Sequence, residues 1–448
     1  MRLINRLLNT LGIDGAILYT SSARIIQAGG SIITLLLIAK FLSKEEQGFY
    51  YTFTSVLAIQ IFFELGLSGI LTQFVAHEMA HIKLENNIFK GEQKYISRLA
   101  SIIHFSAKWY FIFALLLIIA LILGGGIFFY KNTQGVEHIQ WQVPWLMVSI
   151  FGGLNLLISP IMAILQGMHK VKEIAKLSFI QQIIVMIVSW ISLILGAKLY
   201  LVAINLMMNF FILLILYGLS GYLKLLYNLL KYKVIEKINY WKEIFPYQWK
   251  IALSWASGYF IFQALNPIVF SFYGAVVAGK LGMTITILNG ILALVISWTS
   301  TKIPLWSSYI AKREYDELDK SVIYTIKKST LVAFLGISGA IILIGGLQYF
   351  NLNLGNRFLP IELAFILLMT IPINNVINIW SASLRSFKKE PFLFVALMVG
   401  LFSITEVYIT AKFFSLTILI VGYFLVFALV SLPLNLYVYN KKKKEYYE

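Results

Sequence analysis

The chain has 448 residues, 59% hydrophobic and 13% charged, with a mean hydropathy of +0.80. Soluble domains carry about 25% charged residues, so an ordinary soluble protein is excluded, and the absence of cysteine excludes disulfide and thiolate chemistry. The net charge of +17 is spread over many short segments, not gathered on one basic face, which excludes a nucleic-acid-binding domain.

Apolar runs recur that are long enough to cross a hydrocarbon core of about 30 Å. In lipid, every backbone N–H and C=O needs a partner within the segment, so such runs are helices. The expected class is an all-α polytopic membrane protein. Arg2 and Arg6 mark a cytoplasmic N-terminus on a short amphipathic stretch with no signal-peptide cleavage site. Expected spans cover about 16–42 and 49–73, then about 103–123, 143–166, 175–196 and 200–225. After a polar interruption at 231–250 come about 250–275, 282–306, 329–349, 360–386, 391–411 and 416–438. The polar stretch 77–98 and the basic stretch 312–328 read as loops.

Twelve spans put both termini on one side. Of the 37 lysines and arginines, 29 then fall inside, 7 fall outside, and Arg24 remains within the membrane. That bias is the positive-inside signature. The expected organisation is an N-terminal six-helix bundle (1–230), a cytoplasmic linker (231–250) and a C-terminal six-helix bundle (251–448). A weak repeat supports two halves. The end of the fourth span (Ala163 to Lys170) matches that of the tenth (Ala382 to Lys389), pairing Asn155 with Asn374 and Ser159 with Asn378. Ser21 and Gln27 of the first span likewise match Ser257 and Gln263 of the seventh. Halves repeated in the same direction are related by a pseudo-two-fold axis along the membrane normal.

Charged groups inside a span are expensive and mark functional sites by default. Arg24 and Glu64 lie at about the same depth, each roughly 20 residues from the turn near Lys44–Gly48. Arg24, with Gln27 beside it, is a candidate for substrate contact; a snorkelling side chain or an ion pair with Glu64 are its structural alternatives. Glu64, before the small-residue patch Leu65–Gly69, reads as a coupling or ion-pair residue. Glu406, near the outer end of span eleven, reads as a snorkelling acid. Pro267 and Pro372 interrupt spans seven and ten and are candidate hinges. Asn374, Asn375 and Asn378 lie near mid-bilayer, where amides either bind a polar cargo or join helices; Asn374 and Asn378 are taken as substrate candidates. Trp298, deep in span eight, is either a stacking platform for a sugar or core. Trp141, Trp145, Trp241, Trp249 and Trp306 fall near span ends and read as aromatic belts. His77 and His81 lack the further ligands that a metal would need. No nucleotide-binding pattern, catalytic constellation, cofactor site or metal site is expected.

The run Leu35 to Tyr51, with Phe41-Leu42-Ser43 and Glu46-Gln47-Gly48-Phe49-Tyr50, resembles the start of Wzx-type lipid-linked oligosaccharide flippases. So do Glu64-Leu65-Gly66-Leu67-Ser68 followed by Gln73-Phe74-Val75-Ala76, and the ending Leu165 to Lys170. The resemblance implies a polysaccharide-transporter branch of the multidrug/oligosaccharidyl-lipid/polysaccharide superfamily. It implies a bacterial inner-membrane flippase for undecaprenyl-diphosphate-linked O-antigen or capsule repeat units, with membrane lipid, a polysaccharide polymerase and a chain-length regulator as partners. Arg24 fits a family habit of cationic cavity residues. A cation-coupled drug exporter of the same fold is the alternative, with Glu64 as its coupling acid. A membrane glycosyltransferase or polymerase, which would need an essential outer-loop acid such as Glu137 or Glu362, is a third.

Overall fold

The computed structural model describes residues 29–85, 88–133, 136, 138–387 and 389–448. The chain is a set of long helices whose apolar surface points outward. Protein buries only 17% of the most apolar window of Val171–Ile194, and 22% of that of Tyr315–Tyr349. Such an exterior would aggregate in water and is what hydrocarbon requires. By length and composition nine helical runs among the described residues could cross a membrane, and ten if a bent pair counts as one. One of the nine, Gln248–Lys312, divides at Gly274 into two helical stretches, and a shorter apolar helix, Gly29–Phe41, opens the described residues.

Two compact units divide the chain. Among the described residues, one holds Gly29–Phe41 and Leu57–Trp255; the other holds Leu42–Val56 and Ala256–Glu448.

In the first unit, α1 (Gly29–Phe41) is followed, beyond the excursion of 42–56, by the lower part of a broken span. That span consists of α2 (Lys44–Leu57), a 3-10 turn at Ala58–Gln60, the short α3 (Ile61–Glu64) and α4 (Leu67–Met79). The break is at Leu65 and Gly66, with φ of 52° and 67°, and the axis bends there by 42°. The sequence suggested close helix contact at this patch. Gly66 does provide it, since a Cβ would overlap the Ile251 side chain, but its backbone conformation also ends a helix. The stretch read as a loop at 77–98 contains an antiparallel hairpin, β1 (Ile82–Glu85) and β2 (Ile88–Gly91). Four long helices follow: α5 (Gln93–Ala120), α7 (Gln142–Gly167), α8 (Val171–Ile194) and α9 (Tyr200–Leu219), with α6 (Gly126–Asn132) continuing α5 through a π turn.

After the amphipathic α10 (Tyr222–Lys231), the inter-half linker is docked on α5 and does not run free. The Ser97 hydroxyl accepts the backbone N–H groups of Ile235 (2.8 Å) and Glu236 (2.9 Å), and Ser101 accepts that of Ile238 (3.0 Å). Tyr240 packs against Phe105 and Trp109, with ring centroids 5.2 and 5.3 Å away. Arg98 donates to Glu78 (3.0 Å) and to Glu243 (2.7 Å), tying α4, α5 and the linker together. Burial alone would raise the Glu243 carboxyl. Hydrogen bonds from the Asn239 N–H and Arg98, with the Arg98 charge, outweigh it and hold the group below the ordinary glutamate value.

The second unit begins with the stretch 42–56, which the sequence reading had assigned to the first half. Its attachment is backbone-close. A Cβ at Gly48 would overlap the Ala275 carbonyl, and one at Gly279 would come within 2.9 Å of the Gly48 nitrogen. Gln47 Nε2 donates to the carbonyls of Gly279 (2.8 Å) and Arg357 (3.1 Å), while Arg357 Nη2 donates to the Leu42 carbonyl (2.7 Å). Burial pulls the Arg357 guanidinium below its ordinary value, against the opposing charges of Glu45 and Glu46. Then come α11 (Phe245–Phe262), which enters this unit at Ala256, and the helical run Leu265–Lys312. Gly274 (φ 83°, ψ 174°) divides that run into α12 (265–273) and α13 (275–312), placing the turn between spans seven and eight earlier than hydropathy had. The expected basic loop at 312–328 is mostly helix: Arg313, at φ 59°, ends α13, and α14 (Tyr315–Tyr349) starts two residues later. The remaining helices are α15 (Ile361–Leu368), α16 (Thr370–Arg385), α17 (Leu393–Phe413), α18 (Leu416–Leu425) and, past a π turn at Val426–Ser431, α19 (Leu432–Tyr447).

Three of the tryptophans assigned to aromatic belts, Trp141, Trp145 and Trp306, are core residues. Trp306 is fully buried and donates to Ser321 (3.0 Å), and Trp145 donates to the Leu121 carbonyl (2.9 Å).

Candidate functional site

Helix α16 organises the polar interior of the second unit. It restarts the tenth span after a break at Met369, and Pro372 lies in its first turn. Pro267 sits in the same way in the first turn of α12, just after the break at Gln263 and Ala264. Proline cannot donate to the carbonyl four residues back, and those positions, Leu368 and Gln263, are where the preceding helices stop or have just stopped. Each span is thus interrupted upstream of its proline. Pro160 and Pro304 lie inside unbroken helices, so proline permits such a break without forcing it.

Successive turns of α16 face different surroundings. Asn374 lines a cavity of about 140 Å³ with Tyr51, Gln263, Asn266, Thr286 and Thr370. Its Nδ2 donates to the Thr370 carbonyl (3.1 Å), leaving the amide oxygen for the cavity. The Tyr51 hydroxyl is buried there beside Thr286. Asn266 is itself held, accepting from Thr52 (3.0 Å) and donating to the Ala278 carbonyl (3.3 Å). Hydroxyls and amides dominate this lining and no charged residue contributes, so it suits a neutral polar group.

One turn on, Asn378 lines a separate opening of about 820 Å³ with Ser307, Ala382, Ser386 and Arg385. Arg385 holds Glu390 in a bidentate pair, Nε at 2.7 Å and Nη2 at 3.0 Å. Glu390 occupies that edge of the guanidinium, whose donor geometry would match a phosphate equally well were the pair to open. In the sequence Arg385 carries no signal of its own, because a basic residue at a span end is what topology alone demands. Asn375, between the two amides, is fully buried and donates to Ser329 (2.8 Å) and Thr330 (3.2 Å), joining α14 to α16. The three asparagines therefore split: two border cavities and one joins helices.

In the first unit Glu64 lies at the helix break. Its Oε1 accepts from the Ser68 hydroxyl, which is 3.2 Å from the Tyr110 hydroxyl on α5. Asn155, the repeat partner of Asn374, joins α7 to α9 by donating to the Leu206 carbonyl (2.8 Å). Arg24 and Gln27 lie outside the described residues. Trp298 is 39% exposed and borders neither cavity. His81 stacks on Tyr95 at 4.1 Å.

Residues 15–310 match the profile of the family described as polysaccharide biosynthesis protein. A search of curated proteins found no match. Among solved structures, the chain is similar to an inward-facing multidrug resistance MATE family transporter of the MOP superfamily (12% identity, 96% of this chain and 99% of that one, TM-score 0.67). It is also similar to a MOP superfamily transporter from Pyrococcus furiosus (12% identity, 97% and 96%, TM-score 0.59) and to an outward-facing MATE transporter (13% identity, 96% of both, TM-score 0.60). These likenesses establish the fold: twelve membrane helices in two bundles. With that fold along its length and a family match over most of it, this multi-pass membrane protein belongs to the polysaccharide biosynthesis protein family.

Proposed function

We propose that the protein is a flippase for undecaprenyl-diphosphate-linked oligosaccharide repeat units, O-antigen or capsule, moving them from the cytoplasmic to the outer leaflet of the bacterial inner membrane. The family match over residues 15–310 carries this reading. The second unit supports it with an opening of about 820 Å³ whose mostly apolar lining, Ile303, Ile310 and Phe387 among it, carries the polar groups of Asn378, Ser307, Ser386 and Arg385, which suit sugar hydroxyls and phosphate oxygens. Arg24 and Gln27 would grip the diphosphate from the first half, and the breaks before Pro267 and Pro372 would serve as hinges for alternating access. Both termini lie in the cytoplasm, as the basic loops require. Carrying negative charge outward is downhill in an inside-negative cell by about 2.3 kcal/mol per charge per 100 mV.

The test is complementation of a flippase-deficient bacterial host, with surface polysaccharide measured at matched protein levels. Wild-type protein should restore export, and Arg24→Ala should abolish it. Full export by Arg24→Ala would remove that residue from the mechanism. Failure of the wild-type protein across O-antigen and capsule hosts would refute the cargo.

A cation-coupled drug exporter is the second reading, favoured by the fold shared with multidrug resistance transporters. It requires Glu64→Gln to abolish drug resistance in cells expressing the protein. Under the flippase reading no such resistance exists to lose.

A further inference from the structure

Glu406 is seven residues from the end of α17, about 10 Å along the helix, so a snorkelling acid would point toward the interface. It does not. Both carboxylate oxygens are buried, and neither has a hydrogen-bond partner. Among the described residues, the one hydroxyl close to the carboxyl is that of Thr410, one turn on, which donates to the Glu406 backbone carbonyl (2.7 Å). Ser403, one turn back on the same face, is fully buried, and its hydroxyl is also unpartnered. The facing helix makes room for the carboxylate: a Cβ at Gly422 of α18 would overlap Oε1. Just beyond Gly422 the twelfth span leaves α geometry in the π turn Val426–Ser431, which packs on α17. Such turns recur at functional sites.

Few titratable groups surround this acid. Tyr423 of α18 is within electrostatic range, donates to the Ile261 carbonyl (2.8 Å) and also lines the 140 Å³ cavity. Tyr273 of α12 donates to the Phe414 carbonyl (2.9 Å). α11, which meets α17 where Gly400 approaches Ser257, carries Tyr259. On α17 itself, Tyr408 packs edge-on against Phe272, and Lys412 lies over the Phe413 ring. Among the described residues no ion pair reaches Glu406. A buried carboxylate without a counter-charge is far costlier than the same group carrying a proton.

We propose that Glu406 is a proton-binding site of the second unit. One proton taken from water forms the O–H bond of a carboxylic acid seated against Gly422. Gain and loss of that proton, communicated through Tyr423 to the small polar cavity, couples transport to a proton gradient. The site itself does not depend on the cargo; only the coupling rests on the protein being a transporter.

The full-length protein in lipid vesicles is examined by infrared difference spectroscopy across a pH series. Wild type should show a protonated-carboxyl band persisting into neutral buffer. Glu406→Gln, an isostere of the neutral acid, should lose it, and Glu64→Gln should keep it. Gly422→Ala, which fills the cradle, should shift its titration. Should Glu406→Gln fail to fold, Glu406→Asp replaces it and should move the band. An unchanged band in the Glu406 variant would overturn the site. In cells at matched protein levels, Glu406→Gln should lose most export, and unchanged export would remove Glu406 from coupling. The spectroscopic result needs no cargo, so an error about the cargo cannot be mistaken for an error about the acid.

Discussion

Replacing Arg98 with methionine should destabilise the first unit mainly through the partner left behind. Arg98 is 23% exposed and bridges two acids of different standing: the Glu78 side chain is 2% exposed and that of Glu243 is 31% exposed. Glu78 also keeps one oxygen, Oε2, without any partner, so Arg98 is its principal compensation. Removing one member of a buried pair typically costs about 3–5 kcal/mol, because the other charge stays buried alone. A half-exposed partner contributes about 1 kcal/mol or less. Arg98→Met should therefore cost about 3–5 kcal/mol, and Glu243→Gln about 1 kcal/mol or less. Arg98→Met combined with Glu78→Gln should recover most of the loss, since both buried charges are then gone. Denaturant and thermal unfolding of purified protein in detergent, arranged as a double-mutant cycle, measures each quantity. Additive effects in the double variant, or equal losses for Arg98→Met and Glu243→Gln, would refute the reasoning.

Because Glu243 is held below its ordinary value in the folded protein, its contribution is complete above the ordinary glutamate range and is lost as the pH falls through it. Thermal midpoints of wild type and Glu243→Gln should therefore converge in acid and separate toward neutral pH. Gly48→Ala should destabilise by about 1–3 kcal/mol through overpacking against the Ala275 carbonyl, whereas Gly290→Ala, mid-helix with open space at its Cβ, should raise the unfolding midpoint slightly. Asn375→Leu should cost about 0.6–1.7 kcal/mol, the range for interhelical hydrogen bonds in membranes, read as loss of thermal stability in detergent. Arg385→Ala should reduce surface polysaccharide export at matched protein level. Glu390→Gln, which frees the guanidinium, should preserve it.

Hydropathy and charge bias read the spans well, because both report how each segment partitions between lipid and water. They say nothing about which helix a span packs against. The move of 42–56 into the second unit therefore stayed hidden, although Gly48 and Gly279 were visible as residues that allow backbone contact. Prolines pointed to broken spans but put the breaks a few residues late, since the lost bond lies upstream. At Leu65 and Gly66 there was no proline to point at all. The asparagines of span ten were legible as a cluster and not as individuals, because one helical turn decides whether an amide borders a cavity or bonds a neighbour. Glu406 was misread for the opposite reason: its distance from the span end allowed an escape to water that Gly422, a residue of the next span, made unnecessary. The hairpin 82–91 escaped notice because its short strands carry lysines and no long alternating pattern.

The docked linker has a practical corollary for anyone cutting or tagging this protein. With Ser97 and Ser101 occupying its amide groups and Tyr240 lodged between aromatic rings, the stretch from Ile235 to Ile244 has little slack to give. A reporter or protease cassette inserted there would pry apart the first unit. The bend at Ser220 and Gly221, outside that lattice of contacts, is the gentler place to open the chain.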